Sequence, residues 1–257
     1  MSDLFSDDEV AAFRRDGFII ASGLADRSGC EAMAAVIRAS LDPPLAPLEF
    51  ETDVQYPGSP SDRLSPGGDT PRRLLNAYTR DRLFRDWATS KEVCGRVRQL
   101  MDAERIVMSQ NHHNCIMTKH PGFSSATLWH QDIRYWLFDQ PTLISVWLAL
   151  GDEYSKNGCM QVIPGTHIMN FGRGSYDAAY FFRTDLASNR KLIDSAVTAE
   201  LRQGDTLFFH CRTLHAAGRN ETGQVKLSLV YTYHDEHNQP IAGSRSAAFP
   251  GIPCNAT

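Results

Sequence analysis

Residues 128–136 read Leu-Trp-His-Gln-Asp-Ile-Arg-Tyr-Trp, and this stretch is the most informative part of the 257-residue chain. Its aromatic and apolar residues favour a strand that enters a buried sheet. Side chains two positions apart on a strand point to the same face. We therefore predict that His130 and Asp132 project together, with Arg134 one step further along the same face.

An imidazole and a carboxylate on one face are two of the three ligands of a common iron site. Two histidines and one carboxylate bind non-haem Fe(II) and leave three coordination positions open. A His-x-Asp pair also occurs often by chance, as a surface or hydrogen-bonded pair. The interpretation therefore depends on a second histidine elsewhere among the nine that the chain contains.

Five of these histidines are poor candidates from their positions. His112 and His113 are adjacent, so on a strand they should face opposite ways and cannot both be ligands. His234 and His237 follow the last predicted strand, where a solvated loop is expected. His167 lies in a predicted turn, directly after Pro164-Gly165.

Two histidines remain open as the third ligand. His210 closes the predicted strand of residues 206–210, and its position alone would allow it to bind a metal. His215 follows five residues later, beside the turn residues Gly218 and Asn220. The residue pattern does not decide between His210 and His215.

The rest of the chain predicts a mainly β protein with flanking helices. From residue 106 onward, turn signals separate short apolar segments, which suggests a sandwich or jelly roll. These segments are 106–108, 114–118, the stretch already quoted, 143–150, 159–163, 199–201, 206–209 and 225–233. We expect a single domain over residues 1–257, with a helical part of about 1–104 packed on a core of about 105–234.

Helices are predicted near the N-terminus, and two longer segments lack periodicity. Ser6 and Glu9 form a capping-box pattern at the start of a first helix. Further helices are predicted over residues 27–41 and 79–101, the latter as two segments, with Ser90 as the cap of the second. Residues 42–72 are rich in proline and glycine and could form either a mobile surface loop or a lid over the site. A polar and aromatic insertion covers residues 167–197.

Composition excludes several classes of protein. A net charge of −4 gives no reason to expect nucleic acid or an anionic membrane as a partner. Six scattered cysteines without a Cys-x-x-Cys pair argue against a zinc site. The acidic N-terminus does not resemble a signal peptide, and no apolar run could span a membrane. We expect a cytoplasmic protein, and the sequence does not decide its oligomeric state.

Three motifs in order resemble the phytanoyl-CoA dioxygenase (PhyH-like) family. They are Trp129-His130-Gln131-Asp132, then the block from Asn157-Gly158 to Ile163-Pro164-Gly165-Thr166-His167, then His215-Ala216-Ala217-Gly218-Arg219-Asn220. Thr166 stands where the family usually has serine. The resemblance, which runs from about residue 6 to about 233, implies a double-stranded β-helix fold (a cupin-like jelly roll). It also implies Fe(II), 2-oxoglutarate as cosubstrate and O2. It favours His215 over His210 as the distal ligand and a structural role for His167.

The family also implies where the cosubstrate lies. The position that usually holds an arginine for the C5-carboxylate of 2-oxoglutarate holds Lys226 here, with Ser228 on the same face of the strand. Lysine supplies the charge but not the planar fork that binds a carboxylate through two parallel bonds. Trp147 and Thr127 occupy positions where the family lines the cosubstrate pocket. Lys226 could also be a solvated residue of an edge strand.

The resemblance implies an enzyme that hydroxylates a small molecule while 2-oxoglutarate is converted to succinate and CO2. A halogenase of the same fold is disfavoured because such enzymes lose the carboxylate that Asp132 supplies. A non-catalytic jelly-roll binding or sensing protein is the third alternative. The substrate is expected to lie near Arg134, Tyr135 and Arg183, and these arginines favour a substrate with an anionic group.

Overall fold

The computed structural model describes residues 4–254 of the chain, and two antiparallel sheets form its core. The strands are β1 (Phe18–Ala21), β2 (Leu48–Phe50), β3 (Pro71–Leu75), β4 (Ile106–Lys119), β5 (Thr127–His130), β6 (Leu143–Ala149), β7 (Met160–Val162), β8 (Val197–Ala199), β9 (Thr206–His210), β10 (His215–Ala217), β11 (Lys226–Asp235) and β12 (Ile252–Pro253). The α-helices are α1 (Asp7–Asp16), α2 (Arg27–Ala39), α3 (Ala77–Arg80), α4 (Arg82–Ala88), α5 (Lys91–Met101) and α6 (Ala187–Ile193).

The larger sheet has the order β1-β9-β6-β11-β4-β3-β2, with β12 paired to β4, and the smaller has the order β5-β10-β7-β8. One cluster of buried side chains joins residues of both sheets, among them Trp147, Leu207 and Val230 of the larger and Met160 and Val162 of the smaller. Burial of apolar side chains between the sheets stabilises the sandwich. The predicted double-stranded β-helix is therefore confirmed.

Helices cover the opposite face of the larger sheet. Phe13, Ile37 and Trp87 of the helices share a second buried cluster with Tyr231 and Tyr233 of β11. Strand β6 belongs to the larger sheet and lies between the helices and the smaller sheet, and all seven of its residues are buried. Because both of its faces are covered, its sequence is nearly continuously apolar rather than alternating.

The N-terminal part contributes strands as well as helices. Strand β1 pairs with β9, and β3 connects β2 to β4, so residues before 104 complete the larger sheet. The boundary predicted near residue 104 therefore runs through one sheet, and the single-domain organisation stays a prediction. Residues 42–72 contain β2, the first two residues of β3 and the buried side chains of Glu51 and Thr52, so their proline and glycine content does not prevent regular structure.

Local signals at the helix ends are confirmed. Ser6 and Glu9 form the capping box of α1, and the Ser90 hydroxyl accepts a hydrogen bond from the Val93 amide at the start of α5. Helix α1 ends at Gly17, whose φ of +82° suits glycine, and a Cβ there would lie 2.4 Å from Nδ1 of His167. None of the helices in residues 4–254 is long and apolar enough to cross a membrane.

Candidate functional site

The three predicted metal ligands meet at the paired ends of β5 and β10 in the smaller sheet. Strand β5 ends at His130, and β10 begins at His215, which is its direct partner in the pairing of these strands. Asp132 does not continue β5 but begins a 3-10 helix, Asp132–Tyr135. The expectation that strand periodicity aligns His130 with Asp132 is therefore wrong. The turn after Gln131 brings the carboxylate back toward the two imidazoles.

The three side chains have the spacing of a metal site. Oδ1 of Asp132 lies 3.6 Å from Nε2 of His130 and 3.5 Å from Nε2 of His215. One ligand atom from each residue lies within 4.8 Å of the others. His130 donates through Nδ1 to the Leu128 carbonyl at 2.8 Å, and His215 donates through Nδ1 to Thr213 at 3.0 Å. Each ring therefore keeps an unprotonated Nε2 for a metal ion, an arrangement common around histidine ligands.

The ionisation of the site suits a divalent cation. Burial alone would raise the pKa of the Asp132 carboxyl, but His113, His215 and His130 outweigh it, and the pKa lies well below its usual value. Burial, assisted by the neighbouring His130, lowers the pKa of His215 to about 4. At neutral pH the site thus combines a carboxylate with a neutral His215 imidazole, and ligands in these states are ready to bind a metal.

The second oxygen of Asp132 is held from the opposite side. Ser145 donates its hydroxyl to Oδ2 at 3.3 Å, and Nδ1 of His113 lies 3.6 Å from the same oxygen. Ser145 also hydrogen-bonds Thr232 at 3.2 Å. These contacts turn Oδ1 toward the two imidazoles, so they fix the orientation of the carboxylate. The sequence contains no local motif for Ser145 or His113.

A bulge in β4 explains why both adjacent histidines face the site. Strand β11 pairs Tyr231 with Asn114 but the next residue, Thr232, with Ser109, so residues 110–113 lie outside the regular pairing. The expectation that His112 and His113 face opposite ways fails because a bulge interrupts the alternation of side chains. Both residues line the same cavity.

A cavity of about 290 Å³ opens on the three ligand atoms. Its wall combines aromatic rings, apolar side chains and four cations. Besides the ligands and the two bulge histidines, it is lined by Val54, Tyr56, Arg72, Arg73, Met117, Lys119, Thr127, Tyr135, Trp136, Trp147, Met160, Phe209, Ala216, Ala217 and Arg245. Asp132 is the one carboxylate among these lining residues. The cavity therefore has a cationic character that would favour anions.

The cations at one end of the cavity differ in their partners. Arg72 lies 3.4 Å from Glu49 and 3.8 Å from Glu51, and it donates to the Thr127 hydroxyl at 3.3 Å. The Lys119 ammonium donates only to backbone carbonyls, those of Ser125 and Gly218. Burial, together with the charges of Lys226 and Arg72, lowers the pKa of Lys119 to about 7. An incoming anion would therefore find Lys119 without a carboxylate partner in the described part of the chain.

Lys226 is placed differently from the sequence expectation. Its ammonium lies 2.8 Å from Oε2 of Glu153, and the two side chains are 3% and 0% exposed. The other oxygen of Glu153 accepts hydrogen bonds from Ser228 at 2.6 Å and from the Trp147 indole at 3.0 Å. Lys226 and Ser228 do not line the cavity, whereas Trp147 and Thr127 do. The charge of Lys226 is thus neutralised inside the protein, and the solvated alternative is excluded.

This buried pair makes a stability prediction. We expect Lys226→Met to lower the free energy of unfolding by roughly 3–5 kcal/mol, because it leaves the Glu153 carboxylate buried without a counter-charge. The double variant Glu153→Gln/Lys226→Met removes both charges and should lose much less. Urea unfolding of the three proteins measures both differences. Equal losses in the single and double variants would contradict the proposed ion-pair energetics.

Of the three predicted substrate residues, only Tyr135 lines the cavity. The Arg134 guanidinium packs over the Phe181 ring, 3.8 Å from its centroid, and donates to the Ala179 carbonyl at 3.2 Å. It leaves the ligand face because β5 ends at His130. Arg183 forms an ion pair with Asp185 at 2.5 Å and lies outside the cavity wall.

The other histidines have separate environments. His210 accepts a hydrogen bond from the Arg212 amide at 3.1 Å, and burial lowers its pKa to about 3. His167 packs against α1 and lies 3.2 Å from the Arg14 carbonyl through Nε2. His234 is buried within β11, and its ring lies 4.9 Å from that of Phe138. The predicted solvated loop is therefore wrong for His234 because β11 extends to Asp235, whereas His237 is exposed.

Glycine and asparagine residues of the motifs hold the site's loops together. Gly158 has a φ of +73°, and a Cβ there would lie 2.5 Å from the Gly218 carbonyl oxygen. Asn220 donates through its side chain to the carbonyls of Lys119 at 2.8 Å and Gln224 at 2.7 Å. The two motifs meet in space, and their close backbone approach explains the glycine at 158.

Known proteins share both the sequence pattern and the fold. The chain is 23% identical over 275 residues to phytanoyl-CoA dioxygenase domain-containing protein 1 of Danio rerio, and the alignment covers 90% of each protein. It is 25% identical over 259 residues to the ectoine dioxygenase of Halomonas elongata, covering 92% of this chain and 73% of that protein. EctD from S. alaskensis, solved with 2-oxoglutarate and 5-hydroxyectoine, superposes with a TM-score of 0.77 at 17% identity, covering 98% of this chain and 87% of that one.

The chain also matches the sequence profile of a whole protein family. The profile of the phytanoyl-CoA dioxygenase (PhyH) family matches residues 13–228, which include all three candidate ligands and most of both sheets. The fold is also that of the non-haem, 2-oxoglutarate-dependent carbocyclase SnoK, with a TM-score of 0.72 at 22% identity and coverage of 98% and 94%. The family predicted from the three motifs is confirmed. The chain belongs to the phytanoyl-CoA dioxygenase family and is a 2-oxoglutarate-dependent, non-haem iron dioxygenase.

Proposed function

We propose that the protein hydroxylates a small organic molecule in the cavity, with Fe(II) bound by His130, Asp132 and His215. The observation that carries this proposal is the convergence of two Nε2 atoms and one carboxylate oxygen on the cavity wall. Iron, 2-oxoglutarate and O2 together supply the oxidising chemistry, in which one oxygen atom enters the substrate and the other enters succinate as CO2 leaves. The chain's own residues hold the ligands in place and shape the cavity.

The cosubstrate is expected to reach from the metal ligands toward the cationic end of the cavity. Its C5-carboxylate needs a cation, and Lys119 is the cavity lysine with no carboxylate partner in the described residues. Arg72 and Thr127 lie on the same part of the wall and can donate further hydrogen bonds. We propose that these three residues bind the C5-carboxylate.

In this proposal Lys226 and Ser228, which do not line the cavity, act indirectly. They hold Glu153, which accepts the indole hydrogen bond of Trp147, and Trp147 itself lines the cavity. The pair would therefore position Trp147 against the cosubstrate rather than contact it. This proposal retains Trp147 and Thr127 as cosubstrate residues and gives Lys226 and Ser228 an indirect role.

The remaining wall is suited to a compact substrate. Tyr56, Tyr135 and Trp136 contribute aromatic rings to the cavity wall. The Tyr56 and Tyr135 hydroxyls lie 3.3 Å apart, and Trp136 stacks on His112 with ring centroids 4.8 Å apart. Such rings exclude water and orient a small substrate, which fits the ectoine dioxygenase relatives better than a long acyl chain.

Halogenation and silent binding remain the alternatives. The Asp132 carboxylate occupies the position that a halide would need, 3.5–3.6 Å from both imidazoles, which favours hydroxylation. A complete ligand set disfavours a non-catalytic role. A cytoplasmic location and the lack of nucleic-acid or membrane partners stay predictions from the sequence.

Uncoupled turnover tests the proposed function before the substrate is known. Iron-loaded protein supplied with 2-oxoglutarate and O2 should release succinate slowly, and Asp132→Ala should abolish this release. In a substrate screen, a product heavier by one oxygen atom identifies hydroxylation, while incorporation of chloride identifies halogenation. If iron-loaded wild-type protein releases no succinate with any compound, the proposed oxygenase is wrong.

A further inference from the structure

The segment that follows β11 contributes one side chain to the cavity. Residues 236–254 lie beyond the part of the chain that the family profile matches, which ends at residue 228. The segment is hydrogen-bonded to the loop that follows the 3-10 helix of Asp132. The Ile241 amide donates to the Leu137 carbonyl at 3.0 Å, and the Asp139 amide donates to the Gln239 carbonyl at 3.0 Å. It then forms a 3-10 helix, Arg245–Ala247, and returns to β4 through β12.

A buried serine holds this helix against the bulge of β4. The Ser246 hydroxyl lies 2.8 Å from Nε2 of His112 and accepts a hydrogen bond from the Leu137 amide at 2.9 Å. Asn111 donates to the Ser246 carbonyl at 2.9 Å and to Phe249 at 2.7 Å. Ser246 is 2% exposed. The backbone next to Arg245 is therefore held in place by contacts that do not involve the Arg245 side chain.

Arg245 is a cavity cation with no internal partner. Its guanidinium forms no hydrogen bond or ion pair with residues 4–254, although Arg72 and Arg73 both pair with Glu49. Burial, with the positive charges of His113 and Arg245, lowers the pKa of His112 to about 3. His112 is therefore neutral, and Arg245 provides the positive charge at this end of the cavity.

We propose that Arg245 binds an anionic group of the substrate, a carboxylate or a phosphate, while the rest of the substrate lies against Tyr135 and Trp136. This inference rests on the proposed function and names the substrate class for it. A guanidinium offers two parallel donors that match either oxyanion. The sequence also favours an anionic substrate, but through Arg134 and Arg183. The structure assigns that role to Arg245, because those two arginines lie outside the cavity wall.

Binding of simple aromatic anions tests the inference without knowledge of the substrate. The protein is held anaerobically with Fe(II) and saturating 2-oxoglutarate, so that the cosubstrate site is filled. Calorimetry then measures benzoate and phenyl phosphate, with benzamide as the neutral counterpart. We expect at least one anion to bind wild-type protein about ten- to a hundredfold more tightly than Arg245→Gln. The anion that binds more tightly distinguishes a carboxylate from a phosphate site.

Two further variants make the result specific. Arg183→Gln removes the same charge from an arginine outside the cavity and should leave anion binding unchanged. Arg245→Lys keeps the charge without the fork and should bind with intermediate affinity. The inference is overturned if neither anion binds wild-type protein more tightly than Arg245→Gln, or if benzamide binds as tightly as the tighter-binding of the two anions.

The two proposals fail in different measurements. Succinate release in the absence of substrate reports on the oxygenase function and should be the same in Arg183→Gln, whose altered residue lies outside the cavity, and wild-type protein. Anion binding reports on Arg245 alone. Loss of succinate release with retained anion binding would reject the oxygenase and keep the anion site, and the reverse result would reject only the anion site.

Discussion

His215→Ala should abolish stoichiometric Fe(II) binding, while His210→Ala should leave it intact. The first change removes one of three converging ligand atoms. Loss of a residue that merely supports a metal ligand already costs roughly 10–100-fold in affinity, so loss of a ligand should cost more. His210 is a suitable control because it is a half-buried histidine on β9 and lies close in sequence, but it hydrogen-bonds the Arg212 amide instead of approaching Asp132.

Anaerobic Fe(II) titration followed by metal analysis measures this difference. Circular dichroism of both variants checks that each retains the fold. If His210→Ala loses the metal and His215→Ala keeps it, the assignment of the ligands is wrong. Equal losses in two folded variants would mean that His210 also takes part in metal binding, contrary to its position in the structure.

Lys119→Met should raise the dissociation constant of 2-oxoglutarate by about one to two decades, because a hydrogen bond to a charged group contributes roughly 1.5–3 kcal/mol. The resemblance of the sequence to the family instead assigns this role to Lys226. Under that assignment, Lys226→Met would raise the dissociation constant of 2-oxoglutarate by the same factor. Glu153→Gln/Lys226→Met separates the two assignments without leaving an unpaired buried charge. We expect the double variant to bind 2-oxoglutarate within a few-fold of wild-type protein.

Calorimetry on the metal-loaded, anaerobic proteins measures both constants. Tight binding of 2-oxoglutarate by Lys119→Met together with weak binding by the double variant would identify Lys226, and not Lys119, as the residue that binds the C5-carboxylate. Weak binding by both would indicate that the two lysines act together, with Lys226 acting through Glu153 and Trp147.

The pH dependence of cosubstrate binding provides a further check on Lys119. Its pKa is lowered to about 7 in the protein without cosubstrate, and a bound carboxylate favours the protonated form and raises that pKa. Binding therefore takes up a proton above pH 7, so 2-oxoglutarate affinity should fall as the pH rises from about 7 to 9. Lys119→Arg, which stays charged, should remove this slope, and an unchanged slope would exclude Lys119 as its source.

The sequence by itself determined the features that depend on local patterns. The capping box of α1, the Ser90 cap and the apolar run of β6 follow from residues close in the chain, and each is present in the structure. The order of the three motifs was sufficient for the family and the jelly roll. The choice of His215 over His210 also came from motif order, since strand position alone allowed either.

Only the tertiary structure decided which side chains share the cavity. Asp132 reaches the imidazoles through a 3-10 turn, and a four-residue bulge brings His112 and His113 to one side. Lys226 looked like a free cation because its partner, Glu153, lies 73 residues away in sequence.

Lys119 and Arg245 carry no local signal, because their roles depend on which carboxylates and carbonyls surround them after folding. Pairing between distant segments determines the charge that each cavity residue presents. Local periodicity predicts only the face of a strand or helix on which a side chain lies.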